Sequence, residues 1–255
     1  MDADQLKSLK GVRRVTVLTA YDYQTAKIMD EAGIDMILVG DSLGMVVLGY
    51  EDTKSVTMED MIRHTEAVAR GVESALIIGD MPIHSYEAVE DALRNARVFL
   101  EAGAHALKIE GNRPEVVRAL ISEGIPVMGH LGLLPQTAEV FKVRGKKRLE
   151  AERIIDDARE LDELGCFSIV LECIPLKLAK RVTEAVGALT IGIGAGVHCD
   201  GQVLVVNDML GMDKGYSPKH SKIFANLNNV IREAVERYIE EVKAGEFPTD
   251  KHSFH

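Results

Sequence analysis

A single (β/α)8 barrel is the fold class that this sequence predicts, from eight short apolar runs, glycine-ended helical patterns between most of them, and a length of 255 residues. The TIM-barrel class typically takes roughly 250 residues. A composition that is 46% hydrophobic supplies enough apolar side chains for one large core. One barrel domain over 1–255 with a C-terminal helical extension is therefore expected.

The predicted strands are VTVLTAY (15–21), MILVGD (36–41), ALIIGD (75–80), ALKIEG (106–111), PVMGHLG (126–132), SIVLEC (168–173), TIGIGAG (190–196) and VLVVNDM (203–209). Runs rich in Ile, Val and Leu with little polar alternation read as strands buried on both faces, as in a parallel sheet. The helical patterns between them end at Gly33, Gly71, Gly103, Gly124, Gly165 and Gly187, the residue favoured just past a helix. Thr57 and Asp60 form a capping-box pattern, and Pro114 and Pro175 suit a first helical turn. The link between the seventh and eighth runs is too short for an ordinary crossover helix, so the eighth strand is the least secure. Residues 221–244 form a long amphipathic pattern, suited to clasp the barrel or a partner subunit.

A formal charge of -10 argues against a nucleic-acid surface, which needs clustered Lys and Arg. The one basic run, Lys142 to Arg148, reads either as a solvated loop or as a lid over an anionic ligand. Cys166, Cys173 and Cys199 lack CxxC spacing and leave an odd number, so neither zinc nor a disulfide framework is indicated. The first residues, MDADQLKSLKGVRR, contain no apolar signal core, and no run is long enough to cross a membrane. A soluble cytoplasmic protein is expected.

Four of the apolar runs end on an acid: Asp41, Asp80, Glu110 and Glu172. The C-terminal ends of barrel strands carry the chemistry of this fold. Neighbouring strands lie about 4.8 Å apart, so Asp41 and Asp80 can reach one ion, with Glu110 completing the set directly or through water. An all-oxygen set suits Mg²⁺ rather than zinc. Lys108 stands two residues before Glu110, on the same strand face, either to neutralise the acids or to bind an anionic substrate. Glu172, two strands further round, is free of the metal pair and suits a general base. Each acid has an alternative reading as the N-cap of the next helix, His130 as a structural histidine, and the GIGAG run as close packing rather than a phosphate site.

Taken together, TAYDYQTAKI, LVGDSLGMVVLGY, VTMEDMIRHTEAVARG, ALKIEG, GHLGLLPQ, LECIPLKLAKRVTEA, IGIGAGVHCDGQVLVVNDMLG and the terminal HSFH resemble the ketopantoate hydroxymethyltransferase family. The resemblance runs from about residue 15 to the end. It implies a barrel enzyme, commonly a decamer and so a homo-oligomer. Its reaction moves a hydroxymethyl group from 5,10-methylenetetrahydrofolate to 3-methyl-2-oxobutanoate, through a Mg²⁺-stabilised enolate, for pantothenate and coenzyme A synthesis. Carried over by motif, it implies Asp41 and Asp80 as metal and substrate contacts, Ser42 and Lys108 as substrate contacts, Glu110 beside the metal, and Glu172 as the base. Two places depart from the family pattern: Leu134 stands where threonine is usual, and the loop reads VFKVRG, with Val140 and Arg144 changed. A Mg²⁺-dependent lyase or mutase of the phosphoenolpyruvate mutase and isocitrate lyase type is the alternative enzyme class, since it shares a barrel and strand-end acids.

Overall fold

The structure, a computed structural model, describes residues 1–212 and 218–255. The chain divides into two compact units, Met1–Val205 and Val206–His255. In the first, parallel strands close into a barrel in sequence order: β1 (Val15–Thr19), β2 (Met36–Val39), β3 (Leu76–Asp80), β4 (Ala106–Glu110), β5 (Val127–Gly132), β6 (Ser168–Glu172), β7 (Leu189–Ile193) and β8 (Gly201–Leu204). α1 (Ala3–Lys7) precedes the barrel. The crossovers carry α2 (Tyr23–Glu31), the short α3 (Leu43–Val46), α4 (Met58–Ala69), α5 (Val89–Glu101), α6 (Pro114–Ser122), α7 (Arg148–Glu163) and α8 (Leu176–Ala185). This is the (β/α)8 architecture that the apolar runs predict.

Local chemistry accounts for the helix ends. Thr57 and Asp60 exchange side-chain and backbone hydrogen bonds in the capping box of α4, and Pro114 opens α6. Pro175 sits one place earlier than expected, as the N-cap of α8. Gly33, Gly103, Gly124 and Gly165 take the left-handed conformation just past their helices. Gly71 and Gly187 do not; at Gly71 the demand is for space, since a Cβ there would stand 2.6 Å from the Tyr23 carbonyl oxygen.

The barrel interior is filled by alternate residues of each strand. Val15, Val17, Met36, Leu38, Leu76, Ile78, Ala106, Met128, Val170, Leu189, Ile191 and Val203 form one apolar cluster, weighted toward the strand starts. Ala3 and Leu6 of α1 join it, and Leu6 is fully buried. The first residues, which lack an apolar signal core, thus close one end of the barrel, because two apolar side chains three apart suffice for one turn of helix. Two residues further along the same inward rows stand Asp80, Lys108, His130 and Glu172. The interior is therefore apolar where the strands begin and ionisable where they end.

The eighth strand corrects the sequence reading. β8 spans Gly201–Leu204, and the remainder of VLVVNDM turns into α9 (Val206–Met209) in the second unit. Residues 194–200 link β7 to β8 without a helix. Asp200 holds this short link, accepting from the Thr190 N–H (2.8 Å), the Thr190 hydroxyl (2.9 Å) and Lys10 Nζ (2.6 Å). β8 pairs over four positions with β1 but only two with β7.

In the second unit, α10 (Leu227–Ala244) is the predicted tail helix. It begins later than residue 221 because the Phe224 and Leu227 N–H groups donate to Met209 and Leu210 carbonyls, at 2.8 and 2.9 Å. Beyond Gly245, Phe247 packs between Tyr238 and His252 at ring separations of 5.9 and 5.0 Å.

Candidate active site

Asp41 lies two residues past β2, in the turn entering α3. Its backbone N–H donates to Asp80 Oδ2 at 3.2 Å, which places the two residues side by side. Asp80 and Lys108 are register neighbours on β3 and β4, and Lys108 Nζ donates to Asp80 Oδ1 at 2.7 Å. Glu110 Oε1 stands 4.0 Å from the same ammonium. All four groups are buried, at 6% exposure or less. Burial pushes the Asp41 pKa well above the ordinary carboxylate value, and repulsion from Asp80 adds to it, with Lys108 and the Gln136 amide opposing. For Lys108 burial works the other way, but Asp80, Glu110 and Asp41 outweigh it and raise its pKa, so the ammonium stays charged.

On the next strand His130, 1% exposed, is the register partner of Glu110. Its Nδ1 lies 3.3 Å from Glu110 Oε1 and its Nε2 lies 3.1 Å from Glu172 Oε2. Both are ion-pair distances, but neither contact lies in line with a ring N–H as a straight hydrogen bond requires. Burial and Lys108 disfavour the imidazolium, yet the two glutamates prevail and raise its pKa to about 9. His130 thus stands between Glu110 and Glu172, both of which favour its charged form. The Glu172 side chain retains 16% exposure. Its end of β6 closely meets the end of β5: Leu133 N–H donates to the Glu172 carbonyl at 2.9 Å, and a Cβ on Gly132 (φ 100°) would collide with that carbonyl.

The helix-capping alternative does not describe these acids, for the following long helices are capped at Thr57, Ala88, Arg113 and Pro175. Ser42 is half-buried with its hydroxyl 2.8 Å from the Tyr21 hydroxyl. The structure adds two buried residues to which sequence reasoning assigned no role. Gln136 connects Asp41 to Glu110, and Tyr86 holds Gln136. Gln136 lies within GHLGLLPQ, but nothing local marks it as a contact of Asp41, which is 95 residues away along the chain.

Among the described residues, no three His, Cys, Asp or Glu side chains gather into a metal cage. Asp41 and Asp80 pair, whereas Glu110 faces Lys108, His130 and the Gln136 N–H. A pair of buried carboxylates still fits Mg²⁺, which binds through one or two carboxylates and takes its other ligands from water or substrate. Asp80 and Glu110 add to the rise that burial imposes on the Asp41 pKa, and Lys108 opposes it. Beside the end of β5 opens a hollow of about 240 Å³, lined by Leu134, Thr137, Val140, Lys142 and Arg144 among others. Arg144 is tied down, its Nε 3.1 Å from Glu150 Oε1 and its N–H donating to the Cys173 carbonyl at 2.9 Å. The three family departures thus line this hollow.

A family model described as ketopantoate hydroxymethyltransferase matches residues 1–250. The chain belongs to that family. It is 56% identical over 252 residues to 3-methyl-2-oxobutanoate hydroxymethyltransferase of Syntrophus aciditrophicus (strain SB), covering 96% of this chain and 93% of that one. Its identity to the enzyme of that name from Clostridium botulinum (strain 657 / Type Ba4) is 54% over 248 residues, covering 94% and 90%. Among solved structures it is similar to 2,3-dimethylmalate lyase, described as a PEP mutase/isocitrate lyase superfamily member, with TM-score 0.63, 16% identity and coverage of 99% and 91%. A phosphonopyruvate hydrolase complex with oxalate and Mg⁺⁺ gives TM-score 0.62 at 15% identity, covering 100% and 92%. At these identities the structural likeness is one of fold. Ketopantoate hydroxymethyltransferase membership, in contrast, rests on half or more of all positions over nearly the whole chain.

Proposed function

We propose that this ketopantoate hydroxymethyltransferase family member transfers a hydroxymethyl group from 5,10-methylenetetrahydrofolate to 3-methyl-2-oxobutanoate, giving 2-dehydropantoate for pantothenate and coenzyme A synthesis. The observation that carries the reading is the arrangement of ionisable side chains at the strand ends. The Asp41–Asp80 pair with Lys108 lies at the ends of β2 to β4, and Glu172 at the end of β6 stands 3.1 Å from His130 Nε2. Asp41 and Asp80 hold Mg²⁺, with Glu110 beside them, and the ion supplies Lewis acidity toward the oxygens of a 2-oxo acid. The oxalate and Mg⁺⁺ in the phosphonopyruvate hydrolase complex supports such a pairing.

The side chains divide the remaining work. Lys108, charged and buried, attracts the substrate carboxylate, and the Ser42 hydroxyl, held by Tyr21, offers a second contact. Glu172 takes the proton from the branched carbon, and the His130 imidazolium beside Glu172 Oε2 steadies the carboxylate. The carbon nucleophile so formed accepts the one-carbon unit. Because the product carries a hydroxyl, water must enter during transfer from folate nitrogen. Among the described residues no helix is long and apolar enough to cross a membrane, and Cys166, Cys173 and Cys199 are free.

Proton NMR of 3-methyl-2-oxobutanoate in deuterated water tests this directly. With protein and Mg²⁺ alone the branched-carbon proton exchanges, and adding methylenetetrahydrofolate converts the keto acid to ketopantoate. Absence of both exchange and product refutes the reading.

A further inference from the structure

Gln136 follows β5, in the segment that crosses toward β2, β3 and β4, and is 1% exposed. Its side-chain nitrogen donates to Asp41 Oδ2 (3.0 Å) and to the Met81 carbonyl (2.9 Å). Its side-chain oxygen accepts from the Tyr86 hydroxyl (2.5 Å). Its backbone N–H donates to Glu110 Oε2 (3.1 Å).

The chemistry of the partners fixes which way the amide points. A backbone carbonyl only accepts, so the edge facing Met81 has to be the NH2 group, whose second hydrogen serves Asp41. The amide oxygen is left to Tyr86, whose hydroxyl therefore donates. Flipped, the oxygen would face the Met81 carbonyl and the Asp41 carboxyl, and two buried acceptors would lose their donor at once. Every hydrogen-bonding group of the amide is thus committed, and Asp41 Oδ2 has a donor that cannot turn away.

We infer that Gln136 is a positioning residue for the cation site: its locked side chain fixes the Asp41 carboxylate, its backbone N–H fixes Glu110, and Tyr86 is the lock. The inference rests on the reading that Asp41 and Asp80 hold a divalent cation. Groups that orient metal ligands in this way typically govern affinity by about 10–100-fold.

Gln136→Met tests it, because the substitution keeps chain length and the backbone donor to Glu110 but removes the amide. Calorimetric titration of Mg²⁺ into the full chain is expected to show affinity reduced about 10–100-fold, with Tyr86→Phe reduced less. The same variant is expected to need more Mg²⁺ for turnover, with kcat recovering at saturating Mg²⁺, which a general loss of structure would not allow. Wild-type Mg²⁺ affinity in a folded Gln136→Met protein, judged by circular dichroism and melting, overturns the inference. If that variant does not fold, wild-type affinity in Tyr86→Phe does so. Wild-type protein that binds no Mg²⁺, or Asp41→Ala that binds it normally, overturns the cation reading and the inference with it. Loss in Asp41→Ala with full affinity in Gln136→Met overturns the inference alone.

Discussion

Lys108 and His130 are set among carboxylates, and their separate placement gives each neighbouring acid different partners. Lys108 contacts Asp80 and Glu110, while His130 lies between Glu110 and Glu172. Glu110 is shared and well enclosed; Glu172 neighbours His130 and keeps partial exposure, which leaves the proposed base open to a substrate proton. Glu172→Gln keeps the shape and removes the basic oxygen. Branched-carbon exchange in deuterated water is expected to fall about 10²–10⁴-fold, while keto-acid binding, followed by calorimetry, stays near wild type. Exchange at the wild-type rate would assign the base to another residue.

At the scale of elements, strand starts are joined by acids and strand ends carry the candidate site. Asp35, 6% exposed, accepts from Arg13 at 2.9 and 2.5 Å and from the Thr16 N–H and hydroxyl at 2.9 Å each, tying the start of β2 to β1. Burial alone raises an acid's pKa, but the Arg13 and Thr16 donors outweigh it and hold Asp35 below the usual carboxylate range. With the folded pKa below the unfolded value of about 3.9, this stabilisation is present above that pH and is lost as pH falls through the folded value. Asp35→Asn is therefore expected to cost about 1.5–3 kcal/mol near neutrality. Denaturant melts should show the gap to wild type closing as pH drops below about 4. A gap that stays constant down to pH about 3 would remove the carboxylate charge as its source.

For the whole molecule, the notable surface feature is the exposed apolar face of α10. Ile231, Val235, Tyr238, Ile239 and Val242 recur at helical spacing along it and are 41–59% exposed. The family resemblance implies a homo-oligomer, commonly a decamer, and this face is the interface we propose for it. Ile231→Asp combined with Val235→Asp is expected to lower the mass measured by light scattering to smaller species. An unchanged mass would place the interface elsewhere on the chain.

Much of the fold was determined by the sequence itself, because a buried parallel strand, a glycine helix end and a capping box are local patterns that survive without their neighbours. Asp80, Glu110 and Glu172 were legible for the same reason: each is the last residue of an apolar run. The eighth strand was misplaced because Val205–Met209 continues an apolar run whose local pattern suits either strand or helix, and backbone bonding resolved it into α9. The role of α1 was also hidden, since Ala3 and Leu6 acquire meaning only against the closed barrel interior. Only the tertiary structure decided how the acids are shared, with His130 between two of them and Tyr86, 50 residues from Gln136, locking the amide that holds Asp41. Those contacts depend on strand register and barrel closure, which join residues distant in sequence through a geometry that no local periodicity encodes.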